Sequence, residues 1–155
     1  MRDSKARRLA VRHYGARSAL LHISKQSVER IIEHARSVAP EEACGILAGI
    51  NDTVASVHEA ENTLHSPVEY FMNPQDQLRI MNEIFDRNLD DLAYYHSHPA
   101  SEPYPSVTDV HKVVIGRARM VIVTLREDMT RLRSFFVEDG SIEEEEVYIT
   151  DESTE

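Results

Sequence analysis

The stretch Tyr94-Tyr95-His96-Ser97-His98-Pro99 limits what this chain can fold into more than any other. Asp91 to His98 reads as a strand, and two histidines one residue apart on a strand project from one face while Ser97 points away. Pro99 fixes the chain as it leaves, and Pro103 and Pro105 stiffen the loop that leads to Ser106-Val107-Thr108-Asp109. Two neutral imidazoles and one carboxylate, with water in the fourth position, form a common ligand set for catalytic zinc. His96, His98 and Asp109 are therefore candidate metal ligands, and the rest of the chain has to supply a base and a groove.

With 155 residues, the chain is long enough for one domain that buries roughly 70% of its unfolded surface. No apolar run approaches the ~20 residues of a membrane helix, and no signal-peptide-like segment opens the chain. The single cysteine, Cys44, excludes an internal disulfide and a thiolate-cluster zinc site. It suits a reducing cytosol, so a cytoplasmic location is expected. A net charge of −10 argues against general nucleic-acid binding. The charge is uneven: residues 1–18 carry Arg2, Lys5, Arg7, Arg8, Arg12 and Arg17 against Asp3, whereas residues 141–155 are acidic with no basic residue. The expected organisation is a flexible basic extension over 1–18, a catalytic domain over 19–149 and an acidic tail over 150–155. The extension reads as a solvated tail, with a partner-binding arm or targeting peptide as alternatives.

In chain order, Ala19 to Ile23 reads as a strand. Ser24 caps a helix through Val38, with Val28, Ile31, Ile32 and Ala35 at helical spacing. His34, beside that stripe, reads as a structural histidine. Glu41 to Gly49 suits a buried strand with glycines that allow close approach. Glu41 reads as the solvated end of the preceding turn, which leaves Glu42 as the unusual acid at the mouth of a core strand. Thr53 to Ala60 is the next strand, with Val54 and Val57 inward. Asn62 to Asn73 lacks a helical period, and Val68 to Met72 is the expected edge strand. Asn73 caps a helix that starts at Pro74 and buries Leu78, Met81, Ile84 and Phe85. Ser106 to Ile115 reads as a third helix, with Val110, Val113 and Val114 inward and Gly116 as its stop. Met120 to Leu125 is an apolar strand, Arg133 to Val137 its hairpin partner, and Ile142 or Val147 to Ile149 a last edge. The fold class is α/β (α+β), a single mixed sheet with helices packed on both sides.

Local chemistry leaves alternatives open. Ser-x-x-Asp before an apolar helix is also a capping box, with Ser106 as cap and Asp109 in the first turn. Two histidines and an acid can also hold Fe(II), although such sites usually sit on glycine-rich all-β barrels. A metal-dependent (β/α) barrel needs ~250 residues. Cys44 as a nucleophile is weaker still, since cysteines inside apolar strands are inert.

Taken together, the residues resemble the JAMM/MPN+ zinc metalloprotease family. Its pattern is a glutamate on an early strand, then His-x-His-Pro, a short spacer and Ser-x-x-Asp. Here it reads Glu42-Ala43-Cys44-Gly45, His96-Ser97-His98-Pro99 and Ser106-Val107-Thr108-Asp109, with Ala100 to Pro105 between. The likeness covers about residues 20 to 149 and is closest to the small stand-alone prokaryotic branch of CysO-cysteine and sulfur-carrier peptidases. It implies a cytidine-deaminase-like fold in which His96, His98 and Asp109 bind Zn2+. Glu42 would be the general base, preferred to Glu41 by its distance from Gly45, and Ser106 would stabilise the oxyanion. The implied substrate is the C-terminal tail of a ubiquitin-like or sulfur-carrier protein, laid as an added strand beside Val68 to Met72. A non-cleaving module for such tails and a small-molecule amidase are the rival readings. The oligomeric state is not legible in the sequence.

Overall fold

A computed structural model describes residues 20–151; the basic extension 1–18 and the end of the acidic tail lie outside them. Among the described residues, seven strands and three helices follow in the order β1 (Leu20–Ser24), α1 (Lys25–Val38), β2 (Cys44–Ile50), β3 (Thr53–Ala60), α2 (Pro74–Asp86), β4 (Asp90–His98), α3 (Val107–Lys112), β5 (Arg117–Thr124), β6 (Leu132–Glu138) and β7 (Ser141–Thr150). The mixed sheet runs β1-β3-β2-β4-β5-β6-β7 and closes on itself. Closure is uneven: β1 pairs with β7 along its whole length but meets β3 only at His22 and Thr53.

The period-2 alternation of β4 divides the molecule. Ala93 and Tyr95 turn toward the cluster built with Val28, Ile31 and Ala35 of α1. Tyr94 packs instead with the cluster around Ile80 and Ile84 of α2. A third cluster of Met120, Ile122, Phe135 and Val137 takes Val110 from α3. His96 and His98 share Tyr94's face, so the helices α2 and α3 flank them. On the opposite face Tyr95 donates or accepts at His34 Nδ1, 2.8 Å from its hydroxyl, and His34 is the structural histidine expected. Gly45 makes room for it, because a Cβ there would collide with the Tyr95 ring and the His58 carbonyl.

Several expected boundaries move. Val54 and Val57 are both buried although they are an odd number of residues apart. A bulge explains this: Val54 pairs with Gly49 but Ser56 with Ala48, so Ala55 is the extra residue that resets the phase. In α2 the buried residues are Ile80 and Ile84, while Leu78 and Phe85 are exposed. The latter two lie about 120–140° round the helix from the centre of the buried pair at 3.6 residues per turn. Val68 to Met72 forms no strand; the region keeps only an isolated bridge between Asn62 and Met72. The third helix ends at Lys112; residues 113–116 then run irregularly to a bend at Gly116 (φ 75°) before β5 begins at Arg117. Val114 and Ile115 are consequently outside the helix and exposed.

The largest departure is β7, an inner strand of ten residues where the sequence suggested a short last edge. Two of its four glutamates, Glu144 and Glu145, are paired in place. Arg119 grips Glu145 through two hydrogen bonds of 2.6 and 2.9 Å and reaches Asp52 at 2.8 Å. Ser134 Oγ donates to the same glutamate at 2.7 Å. Arg133 makes a second two-point contact with Glu144 nearer the surface. Because Arg119 and Glu145 are buried, removing one partner leaves an uncompensated charge, which costs roughly 3–5 kcal/mol. Glu145→Ala should therefore lower the unfolding free energy in urea by about that amount, and the double change Arg119→Met with Glu145→Leu should recover most of it. Equal destabilisation by the single and double variants would contradict this account.

Candidate metal centre

The site begins with strand register. Cys44 lies opposite His96 in the antiparallel β2–β4 pair. Two residues back along β2 and two forward along β4, Glu42 and His98 come level on the same face. Glu42 thus sits just before the strand rather than on it. Ser97, turned to the other side, fastens this junction: its hydroxyl accepts from Ala43 N at 2.7 Å and its amide donates to the Ala43 carbonyl at 3.1 Å.

Asp109 arrives from the other direction. β4 and β5 are parallel, and α3 lies in the crossover between them, so its first turn stands over the carboxyl ends of both strands. Ser106 caps the helix, and a full capping box forms with Asp109. The same carboxylate oxygen that accepts from Ser106 N at 2.9 Å lies 3.0 Å from His96 Nε2 and 3.1 Å from His98 Nε2. Cap and cluster therefore coexist in one side chain. The two Nε2 atoms are 3.1 Å apart, so two rings and one carboxylate converge on a single point. The loop before Ser106 is anchored as it passes: Thr124 Oγ1 donates to the Ser101 carbonyl, and the Tyr104 ring packs edge-on against Phe135.

The electrostatics call for a cation at that point. His98 Nδ1 faces the Glu102 carbonyl at 2.9 Å. A carbonyl only accepts, so Nδ1 carries the proton and, in the neutral ring, Nε2 presents a lone pair toward Asp109. Two acceptors at that distance repel unless a positive charge lies with them. Without one, burial would lower the His98 pKa, but its bonds to Asp109 and Glu102 raise it above the ordinary value. Burial lowers that of His96. Asp109 would be raised by burial, yet the two imidazoles hold it far below the usual carboxylate range.

Glu42 completes the group. It is buried, its Oε1 has no hydrogen-bond partner among the described residues, and burial pushes its carboxyl up to about 7. One of its oxygens and a nitrogen of each of His96 and His98 lie within 4.8 Å of one another. An orphaned buried carboxylate beside a convergence of lone pairs fits a divalent metal with a reactive water. Glu41 is directed elsewhere, 3.1 Å from His65 Nδ1. Cys44 is fully buried, and burial pushes its thiol up to about 12, which leaves no thiolate for nucleophilic chemistry.

Sequence reasoning missed the residues that hold this arrangement. Asn62 is buried and donates to the carbonyls of Glu42 and Glu69, while its own carbonyl accepts from Leu64 N and Phe71 N. Tyr70, between the last two gripped positions, lays its ring against His96. Nothing in local spacing marked Asn62 or Tyr70, because both act across the loop where a strand was expected.

Over residues 24–137 the sequence matches the family of prokaryotic homologues of the JAB domain. It is 34% identical over 136 residues to a CysO-cysteine peptidase of Mycobacterium tuberculosis, covering 86% of this chain and 93% of that protein. A desampylase of Haloferax volcanii is 37% identical over 99 residues, 59% of this chain and 71% of that protein. Among solved structures, protein DSY2949 from Desulfitobacterium hafniense has the same fold, with a TM-score of 0.78 at 28% identity over 85% of this chain and 94% of that one. With most of its length matched and the mixed sheet and flanking helices in common, the chain belongs to the stand-alone prokaryotic branch of the JAMM/MPN family.

Proposed function

We propose that this protein is a zinc-dependent metallopeptidase or isopeptidase that hydrolyses the amide bond at the C-terminus of a ubiquitin-like or sulfur-carrier protein conjugate. The observation that carries the proposal is the convergence of His96 Nε2, His98 Nε2 and Asp109 Oδ2 within 3.0–3.1 Å of each other, beside the unpartnered carboxylate oxygen of Glu42. The names of the relatives, a CysO-cysteine peptidase and a desampylase, support a carrier protein as substrate. The net charge of −10 disfavours nucleic acid. No helix among the described residues is long and apolar enough to cross a membrane. We place the reaction in the cytoplasm, where the free thiol of Cys44 stays reduced.

His96, His98 and Asp109 would hold the metal. When bound, zinc supplies a Lewis acid that polarises the scissile carbonyl and lowers the pKa of water to roughly 7. Glu42 takes a proton from the attacking water on Oε1. As the C–O bond forms and the C–N bond breaks, it returns that proton to the departing nitrogen. The Ser106 Oγ lone pair is engaged by Asp109 N at 3.0 Å, which leaves the hydroxyl hydrogen to donate to the developing oxyanion. The Glu102 carbonyl holds His98 in the tautomer whose Nε2 is unprotonated. The substrate strand proposed beside Val68 to Met72 has no strand there to join, so the tail needs another edge.

Glu42→Gln should retain zinc and lose about 10²-fold or more in cleavage of a carrier–amino acid conjugate; unchanged turnover would remove Glu42 from the chemistry. Zinc binding and tail affinity without cleavage of any conjugate would point to a binding module. Cleavage of short acyl-amino acids in preference to whole conjugates would point to a small-molecule amidase.

A second prediction concerns the metal-free protein. With its carboxyl raised from 4.5 to about 7, folded Glu42 keeps a proton that the unfolded chain has released. Its contribution to stability is level below about 4.5 and falls as pH rises to about 7. Urea unfolding of chelator-treated protein should therefore show Glu42→Gln gaining on the parent across that window and holding a constant lead above it. A difference independent of pH would contradict the buried placement of Glu42.

A further inference from the structure

The two imidazoles of the cluster are held by different means. His98 has a conventional support, the Glu102 carbonyl on Nδ1. His96 has none: it is fully buried, and its Nδ1 finds no hydrogen-bond partner among the described residues. A metal-binding histidine ordinarily uses that second nitrogen to fix its ring. In its place the Tyr70 ring lies against the His96 ring, with centroids 4.9 Å apart and planes inclined by 31°. This is within the range of favourable offset aromatic packing.

Tyr70 is itself held from two sides. Asn62 grips the peptide groups on either side of it, donating to the Glu69 carbonyl and accepting from Phe71 N, each at 3.1 Å. From α3, the Lys112 ammonium sits over the Tyr70 ring, 3.9 Å from its centroid, and donates to the Tyr70 carbonyl. A cation over a ring face is attracted by its quadrupole, so Lys112 presses the ring from the side of the helix that also carries Asp109. Burial keeps the Tyr70 phenol well above its ordinary pKa, so it acts as a neutral ring and not as an anionic ligand.

We propose that Tyr70, clasped by Lys112, is the positioning element for His96: aromatic contact replaces the missing hydrogen bond to Nδ1 and fixes the ring for metal binding. The inference rests on the reading of His96, His98 and Asp109 as the metal site. It assigns the loop 62–73 a defined task, since that loop offers no strand and its side chains Leu64, Val68 and Phe71 face solvent. The clasp also ties the metal-binding turn of α3 to the segment that Asn62 bonds to Glu42, so ligands and base share one support.

The test is zinc affinity, measured by competition with a chromogenic chelator, together with the visible spectrum of the Co2+-substituted protein. Tyr70→Leu should weaken zinc binding by about 10–100-fold, the usual effect of losing a support behind a metal-binding histidine, and should alter the Co2+ bands. Tyr70→Phe keeps the ring and should bind as the parent does. Lys112→Met, a surface change that cannot unfold the core, should weaken zinc binding in the same direction, and Lys112→Arg should restore it. Parent-like zinc affinity and Co2+ spectra in both Tyr70→Leu and Lys112→Met would overturn the inference and leave the metallopeptidase reading intact. Equal losses in Tyr70→Phe and Tyr70→Leu would also overturn it, by showing that the hydroxyl and not the ring matters. A parent protein that binds neither Zn2+ nor Co2+ would overturn both readings.

Discussion

Everything chemical in this molecule depends on the antiparallel register of β2 against β4. Cys44 opposite His96 brings Glu42 level with His98, and a slip of one residue would turn Glu42 to the opposite face. The register is pinned where it matters. Ser97 makes two bonds to Ala43, and Gly45 admits the Tyr95 ring that bonds to His34 of α1. The residue between the two histidines is thus a fastener, and the glycine three residues after Glu42 is a clearance. Neither touches the cluster, yet both decide where it forms.

The parallel pairing of β4 and β5 supplies the other half. A crossover has to bridge the two strands, and its helix begins above their carboxyl ends. Asp109 needs no special strain to reach the histidines, because its capping bond to Ser106 N already holds the same oxygen there. The helix cap and the approach of Asp109 to the two histidines, which read as rival roles in the sequence, are met by one side-chain geometry. The closed sheet beneath accommodates an acidic final strand in part because Arg119 meets Glu145 and Arg133 meets Glu144.

Much of this was legible in the sequence, for identifiable reasons. The helices at Ser24 and Asn73 announced themselves through caps, and the structure has both. The His-x-His pair and Ser-x-x-Asp carry fixed spacings, and they meet as the spacing suggested. Glu42 was singled out by its distance from Gly45 in a family pattern; its local context alone said little. What was hidden depends on contacts between distant segments. The bulge at Ala55, the rotation of α2 that exposes Leu78 and Phe85, and the pairing of β7 are decided by neighbours that local periodicity does not contain. Tyr70 and Asn62 lay unmarked in an irregular loop for the same reason.

The central claim is that His96, His98 and Asp109 together hold one zinc ion with Glu42 beside it as a base. Anomalous diffraction at the zinc edge, from crystals of the zinc-loaded protein, tests it most directly. The account predicts a single peak about 2.0–2.2 Å from the two Nε2 atoms and the Asp109 carboxylate, with the Glu42 carboxylate outside the inner ligands. A peak elsewhere, or one that takes Glu42 in place of Asp109, would contradict it.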